Sequence, residues 1–287
     1  MPTMDIHRLL ARFNLLSNTY MRDEIEAAMQ LQEEITPYLL DIIETVAANP
    51  LVYALEGHNG HVYAAALLAH FQEPAAHLPL IRAFSITEEQ LVELWGDTTT
   101  ETLPTMLYRT CNGSMAAIKD LIVNRDVDQY VRCAAMEALS YIVASDPSKR
   151  DEAVLFLQGQ FTGEEADRES YFWGNLAATL CDIHPGESME IIRKAYAENI
   201  VPTSFIDLES VEEANARDKE ATMESLQVWA NSRMPSDIHG YISWYSEFQK
   251  EEYSQPTPPA STGKNSSAGK KKKSGANKKN SGKKKRK

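Results

Sequence analysis

Apolar residues recur along most of this chain at the spacing of amphipathic helices. Between Val131 and Val143 they fall at i, i+3, i+4, i+7, i+8, i+11 and i+12, which places them on one face of a helix. Asp146-Pro147 follows, and the helix is predicted to end there because the residue before a proline disfavours helical geometry. A second helix is predicted from about Lys149 to Phe161.

Helix pairs of this kind repeat along the sequence. Their turns are predicted at Glu73-Pro74, Asn112-Gly113, Asp146-Pro147 and His184-Pro185-Gly186. Val62 and Val131 hold matching places 69 residues apart, which is two units of about 35 residues. Such a period, without the alternating pattern of strands, predicts an all-α fold built as an α-solenoid of helical hairpins.

Local signals divide the chain into four parts. Residues 1–50 are predicted to be N-terminal capping helices, 51–206 the repeat array, 207–252 C-terminal helices and 253–287 a disordered polybasic tail. Capping boxes are predicted at Thr87–Gln90, Thr98–Glu101 and Thr162–Glu165. In the C-terminal part, one long charged helix is predicted over Asp207–Ser232 and another over Pro235–Glu251.

Charge separates the tail from the rest of the chain. The 24 residues 264–287 hold 12 Lys or Arg and no acid; the whole chain has 29 basic and 41 acidic residues, so residues 1–263 carry 17 − 41 = −24. Such an asymmetry is typical of an interaction tail on a folded body. The tail is expected either to bind nucleic-acid phosphates without reading sequence, or to fold back on the acidic body or aid solubility.

Several classes of protein are disfavoured by composition. The most apolar window, 61–71, is far shorter than the roughly 20 residues that span a bilayer, and the N-terminus has no apolar signal core. The three cysteines are widely spaced and form no Cys-x-x-Cys, which disfavours a disulfide framework or a zinc knuckle. We therefore expect a cytoplasmic protein without membrane contact, cofactor or metal.

One segment carries a recognisable motif. The run from Asp126 to Leu139 combines an Asp, a Val-Arg pair, small residues and Ala-Leu, and it resembles a HEAT repeat. The resemblance implies that the Arg bonds an acid at the helix start, so Asp128 is predicted to pair with Arg132 at i, i+4. The predicted solenoid is therefore HEAT-like.

A wider resemblance covers roughly residues 50–215. The run Gly96–Pro104, the Val-Arg repeat and the run Tyr196–Asp207 resemble an uncharacterised bacterial family of HEAT-like proteins, of the domain of unknown function 1186 type. The resemblance implies no assigned activity, and it implies that many relatives end in a SEC-C metal-binding motif. That motif needs Cys-x-Cys and a further Cys or His, which residues 264–287 lack.

Two groups of residues could carry chemistry. His58 and His61 have a spacing that can hold a metal, but the neighbouring glycines indicate a loop and no third ligand is near in sequence. Trp173, Asp182 and His184 raise the hypothesis of a HEAT-like DNA glycosylase. A core Trp and an Asp in the last helical turn are the alternative, since nine residues place Trp173 and Asp182 on opposite sides of a helix.

Three functions follow from these patterns. The leading hypothesis is a non-enzymatic scaffold that binds an unknown protein partner on the concave surface, with Gly96, Asp97, Tyr108, Pro202 and Phe205 as partner-binding candidates. The second is RNA or DNA binding by the tail, through Lys270, Lys271, Lys272, Lys273, Lys283, Lys284, Lys285 and Arg286. The third is the glycosylase.

Overall fold

Residues 5–15, 19–56 and 58–245 are described in the computed structural model, and within these ranges the chain is helical without a strand. The seventeen α-helices in these ranges are α1 (Ile6–Phe13), α2 (Arg22–Gln30), α3 (Gln32–Ala48), α4 (Pro50–Glu56), α5 (Gly60–His70), α6 (His77–Phe84), α7 (Glu88–Leu94), α8 (Thr98–Glu101), α9 (Leu103–Thr110), α10 (Ala116–Val123), α11 (Gln129–Ser145), α12 (Arg150–Gln158), α13 (Tyr171–Asp182), α14 (Met189–Ala197), α15 (Leu208–Ala216), α16 (Lys219–Arg233) and α17 (Ile238–Ile242). The predicted all-α class is confirmed.

The middle of the chain is a row of helical hairpins. The first helices of the hairpins, α5, α9, α11 and α13, pack side by side, and α15 continues the row. The second helices α6, α10, α12 and α14 each pack against the first helix of the following hairpin. Because every hairpin covers the apolar side of the next one, the core runs along the row.

The repeat is also visible in polar contacts between hairpins. Six of them join residues 33 positions apart: His61 with Leu94, His77 with Thr110, Lys119 with Glu152, Arg132 with Glu165, Arg150 with Ile183, and His184 with Arg217. A fixed separation means that equivalent positions of neighbouring units face each other. The periodicity therefore lies in the interfaces as well as in the apolar pattern.

Three of the four turns inside the hairpins share one backbone conformation, and the turn after α11 differs, with Asp146 at φ −137°. Gln72, Asn112 and His184 follow α5, α9 and α13 with φ of 54°, 49° and 69°, the left-handed conformation that often ends a helix. Short 3-10 turns then lead into three of the second helices, at Pro74–Ala76, Pro147–Lys149 and Gly186–Ser188. Proline suits this place because it starts a helix and cannot continue the preceding one.

The predicted Asp128–Arg132 pair is wrong. Arg132 Nε donates to the carbonyl of Ile122 at 2.8 Å, one Nη donates to the carbonyl of Glu165 at 2.9 Å, and the guanidinium lies 4.1 Å from the ring centre of Phe172. Asp128 instead caps α11 by accepting from the backbone N–H of Tyr130. The long guanidinium thus joins its helix to two neighbouring segments, since it bonds a carbonyl in the last turn of α10 and one in the loop that contains Glu165.

The long helix predicted over Asp207–Ser232 is also wrong, because two helices occupy that segment. Arg217 is extended, with φ −71° and ψ 155°, and separates α15 from α16. Asp218 then caps α16 by accepting from the N–H of Ala221 at 3.0 Å. An Asp inside a helical pattern competes for backbone N–H groups, and here it starts a new helix. Over Pro235–Glu251, the described part contains the five-residue α17.

The last two helices return across the first helices of the row. α16 packs on α11, and α17 packs on α5. His239 of α17 is buried between Tyr20, whose Oη lies 2.6 Å from Nδ1, and Glu26, whose carboxylate lies 2.8 Å from Nε2. Tyr241 Oη donates to the carbonyl of Thr102. The C-terminal part of the described chain thus joins the N-terminal helices to the row.

The three predicted capping boxes have different outcomes. Thr87 and Gln90 form a reciprocal box at the start of α7, as predicted. Thr98 lies inside α8, which begins after Asp97 without a side-chain cap. The Glu165 carboxylate accepts from both the N–H and the hydroxyl of Thr162, but no helix begins there because the segment to Ser170 is irregular. Within the described ranges, no helix is long and apolar enough to cross a bilayer.

Candidate functional site

A groove of about 450 Å³ opens between α16 and the pair formed by α13 and α15. It exists because α16 buries one narrow stripe, Thr222, Leu226 and Ala230, so the flanks of this helix stand away from the row. Small residues line the groove, among them Ser210, Ala214, Ala221 and Ser225. We call it the Asp182 groove, after the one acidic residue of its lining.

Asp182 lies in this groove near a second carboxylate. Its side chain is exposed to solvent and forms part of the groove lining. Burial, and then the negative charge of Glu137 on α11, raises the pKa of Asp182 to about 7. Burial also raises the pKa of Glu137, against the lowering effect of a hydrogen bond from Tyr141. Two acids with raised pKa values on adjacent helices are a feature of binding sites as well as of ion-pair networks.

Trp229 forms the aromatic wall of the groove. Its ring centre lies 5.4 Å from that of Tyr141, whose hydroxyl donates to Glu137. Arg233 approaches Glu137 at 3.9 Å and Glu101 at 3.3 Å. The arginine therefore partly balances Glu137, whereas it is not among the charges that act on Asp182.

A second candidate surface is a row of three exposed aromatic rings, Tyr130, Tyr171 and Phe205, which we call the aromatic row. The ring centres of Tyr130 and Tyr171 are 5.5 Å apart, and those of Tyr171 and Phe205 are 6.1 Å apart. Their relative exposures are 39%, 47% and 44%. Three large apolar side chains in mutual contact, each more than a third exposed, form a patch rather than scattered surface residues.

Neighbouring residues hold the aromatic row in place. Tyr130 and Tyr171 lie in the first turns of α11 and α13, and the side-chain oxygen of Gln129 ties the two starts together by accepting from Ser170 Oγ and from the N–H of Tyr171. Phe205 rests on Gly174 of α13, where a Cβ would collide with its ring. A polar cleft lined by Arg125, Asp128, Gln129, Arg132, Asp167 and Ser170, among others, adjoins the row.

The residues predicted to bind a partner fall in different places. Phe205 belongs to the aromatic row. Pro202 starts the turn that carries Phe205, and its carbonyl accepts from the N–H of Phe205 at 3.1 Å. Tyr108 lies on α9, edge-on to Tyr141, and lines another cavity of about 420 Å³. Gly96, with φ 44°, and Asp97 form the exposed turn between α7 and α8.

Sequence reasoning missed the other two rings of the row and the groove. Tyr130 lies two residues after the N-cap Asp128, and Tyr171 directly follows the N-cap Ser170; an aromatic residue in the first turn of each helix is a usable signal. The predicted nucleic-acid residues Lys270–Lys273 and Lys283–Arg286 lie outside the described residues.

The histidines and cysteines considered as metal ligands or nucleophiles are held by packing and backbone contacts. His61 is buried, its Nε2 lies 2.7 Å from the carbonyl of Leu94, and burial lowers its pKa to about 4. His58 Nδ1 lies 3.1 Å from the carbonyl of Asn14. Burial raises the pKa of the Cys133 and Cys181 thiols to about 12, and all three cysteines are free. Over the ranges with described positions, no three His, Cys, Asp or Glu residues are grouped to hold a metal ion.

The residues of the glycosylase hypothesis do not converge. Trp173 is buried and its indole N–H donates to the carbonyl of Asp167 at 2.9 Å. The His184 ring lies against the carbonyl of Arg217 at 3.2 Å. Asp182 lines the groove, whose aromatic lining residue is Trp229. Trp173 is thus a core residue, which was the alternative to a catalytic role.

Comparison with known proteins identifies relatives. The family described as "Protein of unknown function (DUF1186)" matches residues 4–249. An uncharacterized protein of Chlamydia trachomatis serovar D is 32% identical over 211 residues, covering 73% of this chain and 84% of the relative. An uncharacterized protein of Chlamydia muridarum is 31% identical over 210 residues, with the same coverage. No solved structure matches the chain.

Proposed function

We propose that this chain, which belongs to the DUF1186 family of proteins of unknown function, is a non-enzymatic helical-repeat scaffold that binds a protein partner. The observation that carries the proposal is the aromatic row. Tyrosine and other aromatic side chains are enriched at the energetic centres of protein interfaces, because they remove much apolar area from water with few rotatable bonds. The row presents three of them in contact with one another.

The position of the row supports binding in a second way. Its rings are carried by two helices of a packed repeat and by a turn seated on Gly174, so little conformational freedom is lost when a partner binds. The adjoining cleft supplies charged and amide groups, including Arg125 and Gln129, beside the apolar centre. An apolar centre with a polar rim is the usual anatomy of an interface.

The location differs from the expected concave surface. α16 and α17 already lie on the first helices of the row of hairpins, so the chain itself occupies part of the surface that the hairpins would offer. The aromatic row is at the N-terminal ends of α11 and α13 and is open. We therefore place the partner at these helix ends.

The experiment is site-specific cross-linking in cells of the source organism. A photoreactive phenylalanine derivative is placed at Tyr171, and in a matched protein at Leu155, which is 68% exposed on α12. We expect a discrete protein cross-link from position 171, absent from position 155, that is lost in a Phe205→Ala background. Equal cross-links from both positions would contradict the proposal.

A second candidate function is nucleic-acid binding by the basic tail, favoured by the 12 Lys or Arg among residues 264–287. Counterion release predicts that such binding weakens steeply as salt rises. The test compares the full chain with a chain ending at residue 263 on double-stranded DNA and on RNA at 50 and 200 mM salt. Binding that survives the deletion would reject this function.

A further inference from the structure

The Asp182 groove has features of a ligand site that the proposed protein interface does not use. Its volume of about 450 Å³ falls in the range of small-molecule pockets, and its walls are mostly apolar with a few polar groups. Three helices, α13, α15 and α16, contribute to it. The cavity therefore arises from tertiary packing, and each wall is held by a separate element.

The carboxylate of Asp182 is open to a cation from outside the protein. Within the described part of the chain, no cation or hydrogen-bond donor contacts it, and the charge that acts on it is that of Glu137, which is also negative. Arg217 lines the groove, but its effect falls on the thiol of Cys181. A ligand cation placed here would meet the Asp182 carboxylate in the groove, and the charge of Glu137 would add to its attraction from outside the groove lining.

Trp229 supplies the other half of cation recognition. Its ring is 36% exposed and forms part of the groove lining. Tyr141, which contacts the Trp229 ring, also donates to Glu137, so the aromatic wall and the second carboxylate are fixed together. Indole is the best aromatic partner for an ammonium group, and the apolar remainder of the lining suits an alkyl stem.

We infer that the Asp182 groove binds an alkylammonium group, with Asp182 as its ionic partner and Trp229 as its aromatic wall. The group can belong to a free aliphatic amine or to a lysine side chain, and the chemistry is the same in both. Asp182 has to be ionised to bind, and it gives up its proton when the cation enters. The inference stands without the protein interface proposed above, which lies at other residues.

The test titrates the full chain with 1,4-diaminobutane and with Nα-acetyl-lysine amide, using 1,4-butanediol as the uncharged control. Because the pKa of Asp182 is about 7, ionised Asp182 falls roughly tenfold from pH 8 to pH 6, and the apparent Kd of the amine should rise by about that factor. Carboxyl NMR should show the pKa of Asp182 falling when the amine is bound. The better of the two amines identifies the source of the group.

Two variants separate this site from general attraction to an acidic protein. Asp182→Asn should weaken amine binding about tenfold at pH 8, because the amine loses its ionic partner in the groove. Glu190→Gln, an exposed acid on α14, should leave binding unchanged. Equal effects of the two variants, binding of the diol as tight as that of the amine, or a Kd that does not change with pH would each overturn the inference.

Discussion

The helices α11 and α16 are similar in length, yet the protein uses them in opposite ways. α11 buries 12 of its 17 residues and is enclosed by α9, α10, α13 and α16. α16 buries 3 of its 15 residues, all on one stripe. Since burial of apolar surface is the main source of stability, α11 should carry far more of it than α16.

This difference separates stability from binding. The enclosed helix has little surface left for a ligand, apart from its first turn, where Tyr130 reaches the aromatic row. The sparsely packed helix leaves an open groove beside it, in which Asp182 keeps a raised pKa. Candidate sites therefore occur where the repeat helices end and where the returning helix does not fill the space.

The largest expected effect concerns the two core leucines of these helices. Leu139→Ala in α11, where the side chain is 0% exposed, should lower the free energy of unfolding by about 3 kcal/mol. Leu226→Ala in α16 should cost about half as much, because it borders the groove and its surroundings can relax. Urea unfolding measures both. Equal losses would show that α16 is as tightly integrated as α11.

Two cations sharpen the same comparison. Arg150 is 3% exposed, and it donates to the carbonyls of Ile183 and His184 and to the Glu187 carboxylate. Because Arg150→Met leaves these acceptors without their donor, it should lower the free energy of unfolding by about 3 kcal/mol. Lys219 of α16 is 42% exposed and lies 3.7 Å from the same Glu187; Lys219→Met should cost less than about 0.5 kcal/mol.

The stability contributed by the Arg150–Glu187 pair should depend on pH in a defined direction. The hydrogen bond from Arg150 lowers the pKa of Glu187 to about 2. The contribution of Glu187 is therefore present above its ordinary pKa near 4.5 and is lost as pH falls toward 2. The difference in unfolding free energy between the wild type and Arg150→Met should narrow as pH falls, because the Glu187 contribution is lost while the bonds from Arg150 to the carbonyls of Ile183 and His184 remain. A gap that stays constant would mean that Glu187 is not linked to Arg150.

A moderate loss of stability is expected from a substitution where the aromatic row contacts α13. Gly174→Ala places a methyl group where the Phe205 ring lies, and overpacking of this kind costs about 2 kcal/mol. Phe205→Ala in the same chain should recover most of that loss, because it empties the occupied space. A double variant no more stable than Gly174→Ala would show that Phe205 does not rest on Gly174.

The smallest effect concerns Asp182, whose exposed side chain is screened by solvent, and it changes with pH. Its folded pKa of about 7 lies above the unfolded value near 3.8, so the folded state gains from the bound proton below pH 4 and loses that advantage as pH rises through 7. Asp182→Asn should therefore match the wild type near pH 4 and be slightly more stable at pH 8. A variant that is less stable at pH 8 would indicate a cation already paired with Asp182.

The sequence predicted the parts of the structure that depend on local pattern. The apolar stripe of α11, its end before Pro147 and the helix pairs were readable because a helix places i, i+3 and i+4 on one face. The break at Arg217-Asp218 was missed, since the apolar pattern continues across it and a capping Asp is indistinguishable from a surface one. Arg132 bonds the carbonyl of Glu165, 33 residues away, which its own helix could not reveal.

The candidate sites were harder to predict from the sequence, because they too depend on contacts between residues far apart along the chain. Asp182 interacts with Glu137, and Trp229 contacts Tyr141, so residues 45 and 88 positions apart define the groove. Phe205 was predicted from its loop, but its neighbours in the row depend on the register between α11 and α13. Both sites exist only once the hairpins are stacked and α16 has returned across them.

The most direct test of the account is the affinity of the protein that cross-links to position 171, measured with purified components. We predict that Tyr171→Ala and Phe205→Ala each weaken binding about tenfold or more, and that Leu155→Ala leaves it unchanged. Circular dichroism confirms that the variants fold. An affinity that is insensitive to both substitutions in the aromatic row would contradict the central claim.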